Sequence, residues 1–206
     1  MTHTLSRTSN TDQMKGINTL DNDLVFLAMS GKGTPNDTPE AGPKMKKILE
    51  IAKKYNPVNI GDMKTGNILA VSEETIMNNV VDTSIVHAVY TNMDDAVAFV
   101  KEVKEAELGI SVVMSAPFDR AFECAEKAGL PGIHTVNMSG GIWGKTEYLP
   151  SPEVNDFCTM CGHGMISRYF VEYVIDRVKK GKMTAKDGSV EIGKQCCCGI
   201  YNPDRG

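Results

Sequence analysis

At 206 residues the chain is long enough for one domain, or one domain with a small appended module, and for a sizeable buried core. Its 26 acidic and 22 basic residues leave a formal net charge of -4, which argues against a nucleic-acid or membrane-surface partner held by bulk charge. No apolar run approaches the ~20 residues that span a bilayer, and residues 1–13 are polar, without the apolar stretch of a secretory signal.

Residues 1–20 show no hydrophobic periodicity and read as a flexible arm, ahead of an α/β domain over 21–150 and a Cys-rich module over 151–206. Leu24-Val25-Phe26-Leu27-Ala28-Met29 is a continuous apolar run, the mark of a strand buried on both faces. A loop follows, and Pro43 suits the first turn of a helix whose stripe is Met45, Ile48, Leu49 and Ala52. Residues 58–60 read as a strand and 68–71 as a second apolar stretch; Ser72 then caps a short helix with Glu73 and Glu74 in its first turn. Residues 85–90 form the next strand, Asn92 caps a helix with Ala96, Phe99, Val100 and Val103 on one face, and Gly109 stops it. A strand over 110–114, a helix over 118–128 and a last strand over 133–138 complete the domain. Strands alternating with helices predict an α/β fold, a mostly parallel sheet with helices on its faces. A ferredoxin-like α+β fold is the alternative, because residues 58–71 can also form a hairpin.

Three predicted strands end in Met-Ser and small residues: Met29-Ser30-Gly31, Met114-Ser115-Ala116 and Met138-Ser139-Gly140-Gly141. In a parallel sheet those ends share one edge, where open α/β folds build a ligand crevice. Ser30, Gly31, Ser115, Ser139, Gly140 and Gly141 are therefore the expected substrate contacts. Gly31-Lys32-Gly33-Thr34 lacks the spacing of a P-loop, but Lys32 in a glycine-lined nest suits an anionic substrate. Trp143 lies in a glycine-flanked loop that suits either a cover for that edge or a packed linker. His87 and His134 lie in apolar strands and read as core histidines with satisfied nitrogens, and Cys124 as a small buried hydrophobe.

Cys158, Cys161, Cys196, Cys197 and Cys198 crowd the last quarter of the chain. A Cys-x-x-Cys pair answered by a distant Cys run is the arithmetic of a four-thiolate metal site. A cytoplasmic location is expected with it, since reduced, clustered thiols hold metal more often than disulfides there. Cys161 precedes a helix predicted over 165–180, whose N-terminal dipole favours a thiolate. Zinc sites usually pair two tight knuckles, whereas the adjacent side chains of residues 196–198 diverge, which a cluster several Å across tolerates better. The expected cofactor is a [4Fe–4S] cluster, with structural zinc as the alternative. Cys158, Cys161, Cys196 and Cys198 are the leading ligands, and Cys197 is a substitute for one of the last two.

Two local resemblances add to this. Met160-Cys161-Gly162-His163-Gly164, followed by Ile166, resembles the Met-Cys-Gly-His motif of the proline racemase family. That resemblance implies Cys161 as a proton-transferring base, with its partner thiol drawn from residues 196–198, since the family's second motif, Asp-Arg-Ser-Pro-Cys-Gly-Thr, has no counterpart here. Cys197-Cys198-Gly199 together with a Cys-x-x-Cys is similar to the cysteine-rich domain of heterodisulfide reductase subunits, in reversed order, and implies an iron–sulfur cluster. The leading expectation is an iron–sulfur enzyme acting on a small anionic substrate by redox, sulfur-transfer or Lewis-acid chemistry, with His163 and Lys32 as catalytic candidates. The alternatives are an electron-transfer or scaffold subunit serving a redox partner protein, and a metal-free cysteine isomerase or epimerase.

Overall fold

The computed structural model of the chain describes residues 20–31, 40–136, 144–151, 154, 157 and 164–206. The run Leu24–Met29 forms strand β1. Helix α1 (Ala41–Ala52) turns Met45, Ile48, Leu49 and Ala52 inward, as a 3.6-residue stripe requires. Strand β2 (Asn59–Asp62) then folds back on the two-residue β3 (Gly66–Asn67), and residues 68–71 form a turn and a bend rather than a strand. Helix α2 (Glu73–Asn79) starts at Ser72, whose Oγ accepts the Thr75 amide at 3.2 Å. Strand β4 (Ile85–Tyr90) leads to helix α3 (Met93–Glu105), where the Asn92 side chain accepts the Asp94 amide at 2.7 Å. Strand β5 (Val112–Ser115) and helix α4 (Phe118–Lys127) follow, and helices α5 (Arg168–Lys179) and α6 (Ala185–Lys194) lie near the C-terminus.

The strands form one sheet in the order β3-β2-β4-β1-β5, and every pairing in it is antiparallel. This corrects the expected mostly parallel sheet. Strands β1 and β2 do run the same way across α1, but β4 lies between them; β4 and β5 run the same way across α3, with β1 between them. Each helical crossover thus joins next-but-one strands, the split β-α-β connection. Local sequence cannot separate the two arrangements, because a strand buried on both faces reads as a continuous apolar run in either.

The antiparallel order also undoes the shared strand edge. Ser30 follows the end of β1, whereas Ser115 pairs with Val25 near its beginning. Ser30 is five residue steps beyond Val25, about 17 Å at the usual strand rise. Ser30 and Gly31 therefore lie at one end of the sheet and Ser115 at the other, and the crevice expected to unite them is not formed. Residues 133–136 make no strand. Lys32, Ser139, Gly140, Gly141 and Trp143 lie outside the described residues.

Both faces of the sheet are covered. On one, Phe26, Ala28, Ile60, Val86, Ala88 and Tyr90 pack with buried side chains of α1 and α3. Phe26, Tyr90 and Phe99 meet there with ring centroids 5.1 to 5.8 Å apart, and the Tyr90 hydroxyl donates to the Ala52 carbonyl at 3.0 Å. On the other face Val25, Leu27 and Val89 pack with Val171 and Val174 of α5, Ile192 of α6, and Cys196, Cys198, Ile200 and Tyr201. The cysteine segment thus belongs to one of the two hydrophobic cores of the sheet.

Candidate metal centre

Helix α6 carries the cysteine run to the sheet. Thr184 caps it by accepting the Asp187 amide at 3.1 Å, while its hydroxyl donates to the Asp187 carboxylate at 2.7 Å. The helix approaches α5 closely at Gly188, where a Cβ would come 2.9 Å from Cγ1 of Val174. Directly after α6 the chain turns, with the Gly199 amide donating to the Cys196 carbonyl at 3.1 Å and Gly199 itself at φ +68°. Only glycine occupies that region without strain.

The turn sorts the three thiols. Cys196 and Cys198 are 5% and 3% exposed, whereas Cys197 is half-buried. Two asparagines of the sheet hold the backbone in place. Asn67 Nδ2 donates to the carbonyls of Gly193 (3.1 Å) and Cys196 (2.8 Å), and Asn59 Nδ2 to those of Gly199 (3.2 Å) and Tyr201 (2.9 Å). Both asparagines are buried, so each bond satisfies a carbonyl that water cannot reach. Farther on, Asn202 Nδ2 donates to Asp23 Oδ1 at 3.2 Å, and Ser189 lies 3.1 Å from the Tyr201 hydroxyl, whose pKa burial pushes up to about 12.

Beneath the turn lies His87. In the antiparallel registers it pairs with Leu27 on one side and Gly61 on the other, and strand alternation puts it on the face of Val89, which is the face of the cysteine core. The ring is 2% exposed, and neither Nδ1 nor Nε2 has a hydrogen-bond partner among the described residues. Its expected role as a satisfied core histidine is corrected on that point. A Cβ on Gly61 would lie 2.6 Å from Cε1 and 2.7 Å from Nε2, and one on Gly199 would fall inside the ring. The imidazole is thus clasped by two bare stretches of backbone, one of them next to Cys198. Burial lowers the His87 pKa to about 3, so the ring is neutral.

Cys158, Cys161 and His163 lie outside the described residues. The residues around them are informative: Val154 and Ile166 are buried in the core that contains Cys196 and Cys198, and Phe157 packs on it. Helix α5 begins at Arg168 rather than near residue 165, which places its cap, Ser167, six positions beyond Cys161. Among the described residues no three His, Cys, Asp or Glu side chains are grouped closely enough to hold a metal ion. Cys124 is buried in α4, as expected, and burial raises its pKa to about 11, the behaviour of an inert thiol. Sequence reasoning missed the roles of His87, Asn59 and Asn67, and missed α6; only the helix left a local signal, the Thr184–Asp187 cap. No family model, no curated protein and no solved structure matches this chain.

Proposed function

We propose that the chain is an iron–sulfur protein that holds one [4Fe–4S] cluster in its C-terminal module, with Cys158, Cys161, Cys196 and Cys198 as its thiolate ligands. The observation that carries the reading is the cysteine turn: Cys196 and Cys198 are buried together, and the turn is fixed to the sheet by Asn59 and Asn67. The side chains that flank the Cys-x-x-Cys pair, Phe157 and Ile166, pack in the same core, which supports a convergence of the two halves. The half-buried Cys197 is set apart from the pair, which answers the divergence of adjacent side chains that makes a triple-cysteine run awkward for one small ion.

The donor set suits the group. Soft thiolates in a largely apolar setting hold iron–sulfur clusters, and burial keeps water from the cluster's sulfides. When bound, such a cluster supplies one-electron redox, or Lewis acidity at an iron left without a fourth thiolate. We take the reaction to be redox, sulfur-transfer or Lewis-acid chemistry on a small anionic substrate, with Lys32 its candidate contact, in the reducing cytoplasm that such thiols need. Ser30 and Ser115 play no joint part in it.

Metal analysis of anaerobically purified protein tests this. The expected result is brown protein with iron and acid-labile sulfide near four each per chain, and iron lost on Cys198→Ser. Colourless protein with one zinc per chain overturns the cluster, and protein that binds no metal overturns the centre altogether.

A further inference from the structure

We infer that the outer face of helix α5 is the contact between two copies of this chain, packed antiparallel about a two-fold axis; this goes beyond the metal reading and does not depend on it. The inner face of α5, with Val171 and Val174, is buried in the cysteine core. On the opposite side Tyr169, Tyr173, Asp176 and Lys180 follow one another at helical spacing, and the two tyrosines are 67% and 53% exposed. Tyrosine is enriched at protein interfaces because its ring is apolar and its hydroxyl is not. Neither ring is loose. The Arg168 guanidinium lies 4.8 Å from the Tyr169 ring centre and donates to its hydroxyl at 2.9 Å; that of Arg177 lies 5.7 Å from the Tyr173 ring centre and donates to its hydroxyl at 3.1 Å. Rings already held in place lose little freedom on docking.

The charges decide what docks. Along one side of this face, two helical turns apart, Glu172 and Lys179 are exposed and make no hydrogen bond or ion pair among the described residues. Asp176 and Lys180 pair with each other at 2.8 Å, but both are more than half exposed, and such surface pairs are weak. A face that carries both signs along its length repels part of any uniformly charged surface, nucleic acid included, and complements itself when turned end to end. About a two-fold axis at the level of Val174 and Ile175, like flanks of two antiparallel helices meet. Glu172 then lies beside Lys179 of the partner subunit, Tyr173 beside Asp176 of the partner subunit and Tyr169 beside Lys180 of the partner subunit, and each contact occurs twice. The parallel alternative sets Asp176 against Asp176 of the partner subunit and Lys180 against Lys180 of the partner subunit, which is repulsive. Tyr148 and Leu149, 70% and 41% exposed, extend the face at the N-terminal end of α5, where Arg168 donates to the Tyr148 carbonyl at 3.4 Å.

Sedimentation equilibrium of the full chain tests this. The parent is expected at twice the 22.4 kDa of one chain. Glu172→Lys and Lys179→Glu each place like charges in both symmetric contacts, so each variant alone should dissociate at least about 10-fold more readily. Mixed in equal amounts, the two variants restore both opposite-charge contacts and should return to the two-chain mass. That rescue separates docking from misfolding, because a chain that failed to fold would not be rescued by the other variant. A parent that stays at the one-chain mass overturns the inference and leaves the face to a different protein. A two-chain parent whose mass neither variant changes, or a mixture that associates no better than its components, overturns it as well.

Discussion

A Cβ added to Gly199 would occupy the space of the His87 ring, and at φ +68° it would also sit in backbone territory that side chains avoid. The two penalties are separable. Overpacking a filled site costs about 1–3 kcal/mol, and left-handed backbone at a non-glycine residue about 1–2 kcal/mol. In the metal-free chain, Gly199→Ala should therefore destabilise by several kcal/mol, whereas in a His87→Ala background only the backbone part should persist. Urea unfolding of the four proteins gives the coupling, expected at about 1–3 kcal/mol; additive costs would show that ring and glycine do not oppose each other. Nothing near His87 in the sequence announces this contact. Ile85-Val86-His87-Ala88-Val89-Tyr90 reads as a buried strand, and alternation shows only that His87 shares a face with Val89. What covers that face is decided by Gly199, far along the chain. The cysteines stood out in the sequence by their spacing; a contact between a strand histidine and a distant glycine leaves no such pattern.

Individual elements were legible where their ends are chemically marked. Ser72 and Asn92 cap the helices their side chains predict, and the stripe of α1 is buried as its spacing requires. The pairing of the strands was not, since register and direction depend on long-range contacts and apolar runs of the same character serve either sheet. Helix α6 shows a third case. Its cap is present in the sequence, but Gly188 and Gly193 weaken the helical pattern, and both are there for packing: a Cβ on Gly193 would lie 2.5 Å from Leu69 Cδ1 and 2.7 Å from Tyr201 Cδ1. Gly193→Ala sets two effects against each other. Alanine gains about 1 kcal/mol of helix propensity, and the forced contact loses about 1–3 kcal/mol. The Tyr201 ring is buried and held through its hydroxyl at Ser189, so the contact should win and the variant should unfold at lower urea than the parent. A higher midpoint would show that Leu69 and Tyr201 give way.

The molecule as a whole has a sheet with two hydrophobic faces and a cover on each. Helices α1 and α3 cover one face; α5, α6 and the cysteine turn cover the other. Among the described residues no helix is long and apolar enough to cross a membrane. Ending the chain after Pro150 would uncover Val25, Leu27 and Val89, all buried in the intact protein. Each fully buried aliphatic side chain is worth about 1.5–3 kcal/mol, so these three alone approach the 5–15 kcal/mol that typically separates folded from unfolded chains. The loss also takes away the Asn202 contact with Asp23 and all four carbonyl partners of Asn59 and Asn67. Chain 1–150 should therefore bind a hydrophobic dye such as ANS and unfold in urea without a sharp transition. A steep, cooperative transition would instead establish that the sheet stands on α1 and α3 alone. If the shortened chain does fail to fold, the cysteine turn is part of the scaffold, and any metal bound there stabilises both faces of the sheet at once, since binding to the native state alone shifts the whole folding equilibrium.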